Sequence, residues 1–171
     1  MRGDAFFNQV ASQPPFSQMH PQMAAFFKGY LAHEKITPFG DRFVLNTHFP
    51  PFPSPAFDRL AAQFDQIGES EERHLHSVTL AVTNRCPYRC WHCYNAGRCQ
   101  QDLPLDKLRE VAGQLQDLGT VIVSLSGGEP LVRDDLEEIA RAFDERTCLT
   151  VNTTGYHLTP KRARSLRDSG I

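Results

Sequence analysis

The rhythm of apolar positions changes along the chain, and each change marks an element. Residues 76–84 (HSVTLAVTN) form a nearly unbroken β-branched and apolar run, the pattern of a buried strand. Leu105, Leu108, Val111, Leu115 and Leu118 then recur at helical spacing, with Pro104 near the start and Gly119 at the stop. Residues 121–125 form a short apolar strand. Leu136, Ile139, Ala140 and Phe143 mark a second helix. Residues 148–152 (CLTVN) form a third strand. Thr159 and Pro160 supply the cap and first residue of a third helix, running to about Asp168.

Strand followed by helix, three times over, predicts parallel strands joined by crossover helices, as in an α/β barrel or a doubly wound sheet. The chain then stops at Gly170 and Ile171, where a fourth strand is due. Three units would leave a parallel edge strand uncovered. The expectation is therefore a truncated barrel; a half-barrel that covers its edge by dimerising is the alternative.

The stretch before residue 76 has another character. It carries 11 of the 12 phenylalanines and eight of the 12 prolines. Ser54 and Pro55, followed by Phe57, Leu60, Ala61, Phe64 and Ile67, predict one amphipathic helix near 55–67, capped near Gly68. Residues 1–53 are broken by Pro14, Pro15, Pro21, Pro38, Pro50 and Pro51, which predicts loops and short pieces along another surface. A charged run at 69–73 marks the boundary, giving an N-terminal extension over 1–75 and a barrel part over 76–171. The extension reads as packing for stability, ahead of a cover for the barrel mouth or a docking segment.

Composition narrows the setting. The chain has 171 residues, with 18 Lys and Arg against 20 Asp and Glu, a formal charge of −2. That balance calls for neither nucleic acid nor an anionic membrane as partner. No apolar run is long enough to span a bilayer, and the N-terminus lacks a signal peptide's basic start and apolar stretch. A cytoplasmic location follows, where thiols stay reduced. Five cysteines in that setting, an odd number, point to metal or redox chemistry before disulfides.

Three of those cysteines are spaced for it. Cys86, Cys90 and Cys93 form a C-x3-C-x2-C pattern in the loop leaving the first strand's carboxyl end, where α/β folds place their chemistry. Three close thiolates can hold three irons of a 4Fe–4S cluster and leave the fourth free. A second pattern, Ser126-Gly127-Gly128-Glu129-Pro130, follows the second strand. Its glycines permit close backbone approach to a ligand, and its carboxylate can receive an ammonium group. A looser third, Asn152-Thr153-Thr154-Gly155, ends the third strand.

Over roughly residues 76–171, these motifs on three successive strand ends resemble those of the radical S-adenosylmethionine (SAM) superfamily. The resemblance implies the N-terminal part of a partial (β/α)6 barrel, about three β/α units, behind the Phe- and Pro-rich extension. It implies an oxygen-sensitive enzyme, or a fragment of one that is weakly active or inactive alone, with two cofactors, a 4Fe–4S cluster on Cys86, Cys90 and Cys93, and SAM chelated to the unique iron. The cluster would donate an electron, break a carbon–sulfur bond and release a 5′-deoxyadenosyl radical. Gly127, Gly128, Glu129 and Pro130 would bind SAM, with Glu129 near its amino group, and Asn152 and Thr153 would lie near its ribose. His92 stands in the position before the third cysteine that relatives often fill with an aromatic residue. With Tyr94, the C-x-H-C-Y version resembles the branch of peptide maturases and haem- or cofactor-synthesis enzymes. That branch implies a peptide or small cofactor-precursor substrate and an electron donor such as flavodoxin or ferredoxin. No catalytic residue toward the substrate is assigned.

The rival is a non-catalytic zinc or iron–sulfur module, with Cys99 or His92 completing a four-ligand site on Cys86, Cys90 and Cys93. It leaves the Gly-Gly-Glu-Pro turn unexplained. Cys148, beginning a strand, reads as a buried apolar thiol, Cys99 as an incidental loop cysteine, and Trp91 as packing beside the cluster. The remaining histidines are scattered, and Lys161, Arg162, Arg164 and Arg167 form a solvated helix face.

Overall fold

Prolines in the N-terminal segment divide it into elements without preventing them. The computed structural model describes residues 1–66 and 74–171. Where loops and short pieces are expected, it has two helices, α1 (Gly3–Val10) and α2 (Pro21–Leu31). The sequence expectation fails here because the prolines nearest the two helices lie between them or at a helix start. Pro14 and Pro15 lie between the two helices, and Pro21 occupies the start of α2, where a missing N–H costs nothing. His20 Nδ1 accepts from Gln22 N at 3.3 Å and caps that end.

A short antiparallel hairpin follows, β1 (Thr37–Phe39) and β2 (Arg42–Val44). Next comes α3 (Pro55–Asp65), whose Ser54 Oγ accepts from Phe57 N at 3.1 Å. The expected cap near Gly68 and the charged boundary at 69–73 lie outside the described residues. The phenylalanines close a core of their own. Phe6, Phe16, Phe27, Phe52 and Phe57 are buried and meet mostly edge-on, with centroids 5.2 Å apart for Phe52 and Phe57 and 5.9 Å apart for Phe6 and Phe52. Val121 and Ile122 join this core, so it is continuous with the start of the second sheet.

That sheet is parallel. β3 (Ser77–Thr83), β4 (Ile122–Gly127) and β5 (Cys148–Val151) lie in the order β3-β4-β5, with Ser77 opposite Ile122 and Ile122 opposite Cys148. The connections are α4 (Leu105–Asp117) and α5 (Leu136–Ala140), and α6 (Pro160–Asp168) follows β5. Leu108 and Ala112 of α4, Leu136 and Ile139 of α5 and Leu166 of α6 share a buried core with Val82, Val123, Leu125 and Leu149 of the sheet. Phe143 belongs to that core from the turn after α5, which ends at Ala140. Thr159 Oγ1 accepts from Arg162 N at 3.2 Å and caps α6 as predicted. The fold is the α/β arrangement expected, three β/α units of a barrel wall behind an N-terminal extension.

One expectation for β3 is revised. Ser77, Thr79 and Ala81 are exposed, alternating with the better-covered Val78, Leu80 and Val82. The helices cover one face of the sheet. Thr79, Ser124 and Thr150 align across the other face, where Ser124 Oγ and Thr150 Oγ1 are hydrogen-bonded at 2.8 Å. All three strands run the same way, so their carboxyl ends and the loops that leave them lie along one rim.

Candidate cluster and cofactor site

The first rim loop, from Asn84 to Leu103, is tied at its base. Asp102 Oδ2 accepts from Thr83 Oγ1 at 2.7 Å and from Arg85 Nε at 3.0 Å, and its Oδ1 accepts from Asn84 N at 2.8 Å. Burial pushes the Asp102 carboxyl upward in pKa, but these donors outweigh it and hold the group below its usual range. Asn84 Nδ2 adds a bond to Gln100 O at 3.0 Å. Arg133, itself paired with Asp135 at 2.7 Å, donates from Nη1 to Val82 O at 2.8 Å and to Leu103 O at 3.0 Å. The stem is thereby fixed by ionic and charge-assisted bonds, while its interior carries the cysteines.

Two turns shape that interior. Cys93 N donates to Cys90 O, and Ala96 N to Cys93 O, each at 3.2 Å. Cys86 and Cys90 are exposed and Cys93 is half-buried, and all three line one cavity of about 330 Å³. Among the described residues, no other Cys, and no His, Asp or Glu, lines it. Cys99 is exposed elsewhere on the loop, and the His92 ring stacks edge-on against Trp91 at 5.0 Å. Neither proposed fourth zinc ligand therefore shares the cavity. Among the described residues, no three of Cys, His, Asp and Glu are gathered tightly enough to hold a single metal ion. An open set of three thiols is the donor chemistry of a site-differentiated iron–sulfur cluster, whereas a structural zinc needs four closed ligands. Asn95, 6% exposed, also lines the cavity, and its Oδ1 is a buried acceptor without a donor among the described residues. Trp91 stands on the same loop. It is 95% exposed, with the His92 ring against it.

The second rim loop is packed onto the first. Gly128 N donates to Thr83 O at 2.7 Å and Glu129 N to Arg85 O at 2.9 Å, extending the β3–β4 ladder past the strands. The paired glycines make this approach possible. A Cβ on Gly127, at φ +121°, would lie 2.1 Å from Thr83 O, and one on Gly128 would lie 2.2 Å from Arg85 O. In this structure, the close approach expected toward a ligand is made to the stem of the cysteine loop. Tyr94 adds a tie from the other side, its hydroxyl lying 3.1 Å from Ser126 Oγ and donating to Gly127 O at 3.1 Å.

Glu129 is the most constrained residue of the rim. It is fully buried, and its carboxylate reaches across to the third loop. Oε1 accepts from Leu131 N at 3.0 Å and Thr153 Oγ1 at 2.5 Å, and Oε2 accepts from Thr154 N at 2.8 Å and Thr154 Oγ1 at 2.6 Å. Burial raises its pKa and these donors lower it; the donors win, so the group stays ionised below the usual range. Pro130 begins the 3₁₀ turn Pro130–Val132 that carries the chain inward. Asn152 is exposed, its main-chain N–H donating to Leu125 O at 2.9 Å, and Thr153 stands beside it. Cys86, Cys90, Cys93, Gly127, Gly128, Glu129, Pro130, Asn152 and Thr153 thus lie on the loops of one rim, with His92 exposed on the first of them. Reasoning from sequence did not single out Asp102 or Thr154. Asp102 lies 18 residues from Asn84, a separation that carries no local signal, and Thr154 stands in a motif otherwise read for Asn152 and Thr153.

A parallel sheet with three thiols and a glycine turn on adjoining strand ends is an α/β fold carrying the donor set of an iron–sulfur cluster. The model of the Radical SAM superfamily matches residues 80–171, just over half of the chain, and the chain belongs to that superfamily. Members of the family use a 4Fe–4S cluster and SAM. A probable GTP 3′,8-cyclase of Methanocella arvoryzae is 34% identical over 101 residues, covering 58% of this chain and 33% of the relative. The PqqA peptide cyclase of Bradyrhizobium diazoefficiens is 34% identical over 99 residues, covering 56% of this chain and 26% of the relative. The chain therefore spans about a third or less of the length of these curated relatives. A crystal structure of BtrN in an open conformation covers 58% of this chain and 48% of that one, at 24% identity and a TM-score of 0.47. No helix of the described residues is long and apolar enough to cross a membrane.

Proposed function

We propose that this chain is the radical-generating part of a radical SAM enzyme, with Cys86, Cys90 and Cys93 as the ligands of a 4Fe–4S cluster. The observation that carries the reading is the shared cavity of the three thiols, on a loop whose stem is hydrogen-bonded to the glycine turn of the next strand. A cluster held by Cys86, Cys90 and Cys93 would supply one electron for the reductive cleavage of bound SAM. The chain's own residues hold and orient. The Asp102-clamped stem presents the thiols at the rim, and the turn from Gly127 to Pro130 with Asn152 and Thr153 forms the wall that receives SAM. His92, exposed beside Cys93, borders that site. The electron comes from a small donor protein of the flavodoxin or ferredoxin kind.

The substrate is a peptide or a small cofactor precursor. Support for that class is the C-x-H-C-Y sequence together with relatives named as a peptide cyclase and as GTP cyclases. The extension before residue 76 stabilises the sheet through the aromatic core that it shares with Val121 and Ile122.

The test is anaerobic purification and reconstitution with iron and sulfide. Iron, sulfide and a visible-absorption shoulder are expected, lost in Cys93→Ala and retained in Cys99→Ala. Equimolar zinc without iron would overturn the cluster assignment. Release of 5′-deoxyadenosine only with a free metabolite unrelated to either substrate class would overturn the substrate assignment.

A further inference from the structure

We infer that Glu129 serves SAM as a positioning residue, acting through Thr153 and Thr154, and does not itself receive the cofactor's amino group. The inference rests on the reading above of the rim as the SAM site. A carboxylate offers about four lone-pair positions. Those of Glu129 are filled by two main-chain N–H groups and two threonine hydroxyls between 2.5 and 3.0 Å. The residue is 0% exposed, so no oxygen faces an incoming ligand. An ammonium group could reach it only by displacing a hydroxyl already held in a charge-assisted bond.

The same residue joins all three rim loops. Its main-chain N–H holds Arg85 O on the cysteine loop at 2.9 Å, its backbone continues the glycine turn, and its carboxylate holds the third loop. Thr153 relays the contact onward, since its Oγ1 also accepts from Gly155 N at 2.9 Å. Removing the threonine hydroxyls would loosen the third loop, leaving it on the main-chain bond from Thr154 N to Glu129 Oε2 at 2.8 Å, with the cysteine loop and its ties in place. Glu129 therefore sets the spacing between the thiols and the wall that receives SAM.

The experiment compares SAM affinity, read from the change SAM produces in the electron paramagnetic resonance spectrum of the reduced cluster. Wild type, Glu129→Gln, Thr153→Val/Thr154→Val, Thr153→Ser/Thr154→Ser and the triple Gln/Val/Val protein are measured after reconstitution. The valine pair is expected to bind SAM about tenfold or more weakly, the worth of a charge-assisted hydrogen bond. Its iron content and its spectrum without SAM should match wild type. The serine pair, which restores both hydroxyls, should return affinity to within about twofold of wild type, and Glu129→Gln should add little to the valine pair. Normal or tighter SAM binding by the valine pair, with Glu129→Gln alone crippling it, would show direct contact and overturn the inference. Should the valine pair not fold, Thr154→Val alone keeps the main-chain donor and is judged by the same two outcomes. A wild-type cluster whose spectrum ignores SAM would instead overturn the underlying reading, which separates the two failures.

Discussion

Replacing Gly127 with alanine tests whether the two rim loops are held as closely as their geometry implies. Two costs apply. The backbone at φ +121° is a region that side chains rarely adopt, and such strain costs about 1–3 kcal/mol. The new methyl would also begin 2.1 Å from Thr83 O, a backbone atom that is itself hydrogen-bonded to Gly128 N. It cannot rotate away, so the loops must separate, an overpacking cost of about 1–3 kcal/mol. The expected loss is thus about 2–6 kcal/mol. Gly155→Ala is the control. Its φ is +80°, but nothing lies within 4 Å of the added atom, so it bears only the conformational cost, about 1–2 kcal/mol. Urea unfolding followed by circular dichroism measures both. With a slope of about 1–3 kcal/mol per molar, the Gly127 variant should shift its midpoint well beyond the control. Equal midpoints would show that the contact with Thr83 O costs nothing and would refute the reasoning.

Two further outcomes follow from the packing and the charges. Phe57→Ala, which empties a fully buried ring from among Phe16, Phe27 and Phe52, should destabilise the chain by about 3–5 kcal/mol in the same unfolding assay. Hydrogen bonding from Arg146 holds the Asp144 carboxyl at about 2, against the partial effect of its burial. A depressed carboxylate stabilises the fold above its unfolded pKa of about 3.9 and loses that contribution as pH falls toward its folded value. Asp144→Asn should therefore flatten the pH dependence of the urea midpoint between about pH 4 and about 2, a modest effect because both partners are about half exposed.

Much of this architecture was legible because its signals are local. Thr159, Ser54 and Pro160 are capping chemistry that acts within one helical turn, and all three stand where the spacing placed them. The alternation of strand and helix after residue 76 likewise became the parallel order β3-β4-β5. The segment from 1 to 53 was misjudged because proline was weighed as a breaker without regard to helix position. The two-sided burial expected for β3 failed for a different reason. Apolar content records what a strand can bury, while only the placement of the helices decides which face is covered.

The amino-acid sequence alone determined the kind of site: three thiols at C-x3-C-x2-C spacing, a glycine turn and a threonine turn, each just after a strand. Parallel topology then places strand ends on one rim, so order along the chain was enough to bring the motifs together. Which partners those residues choose was decided by tertiary structure. Glu129 reads in sequence as an open carboxylate beside two glycines, yet Thr153 and Thr154, 24 and 25 residues away, fill its oxygens. The glycines that seemed to admit a ligand instead admit the carbonyls of Thr83 and Arg85. Hydrogen-bond valence and steric contact depend on separations in space, and no spacing along the chain encodes them.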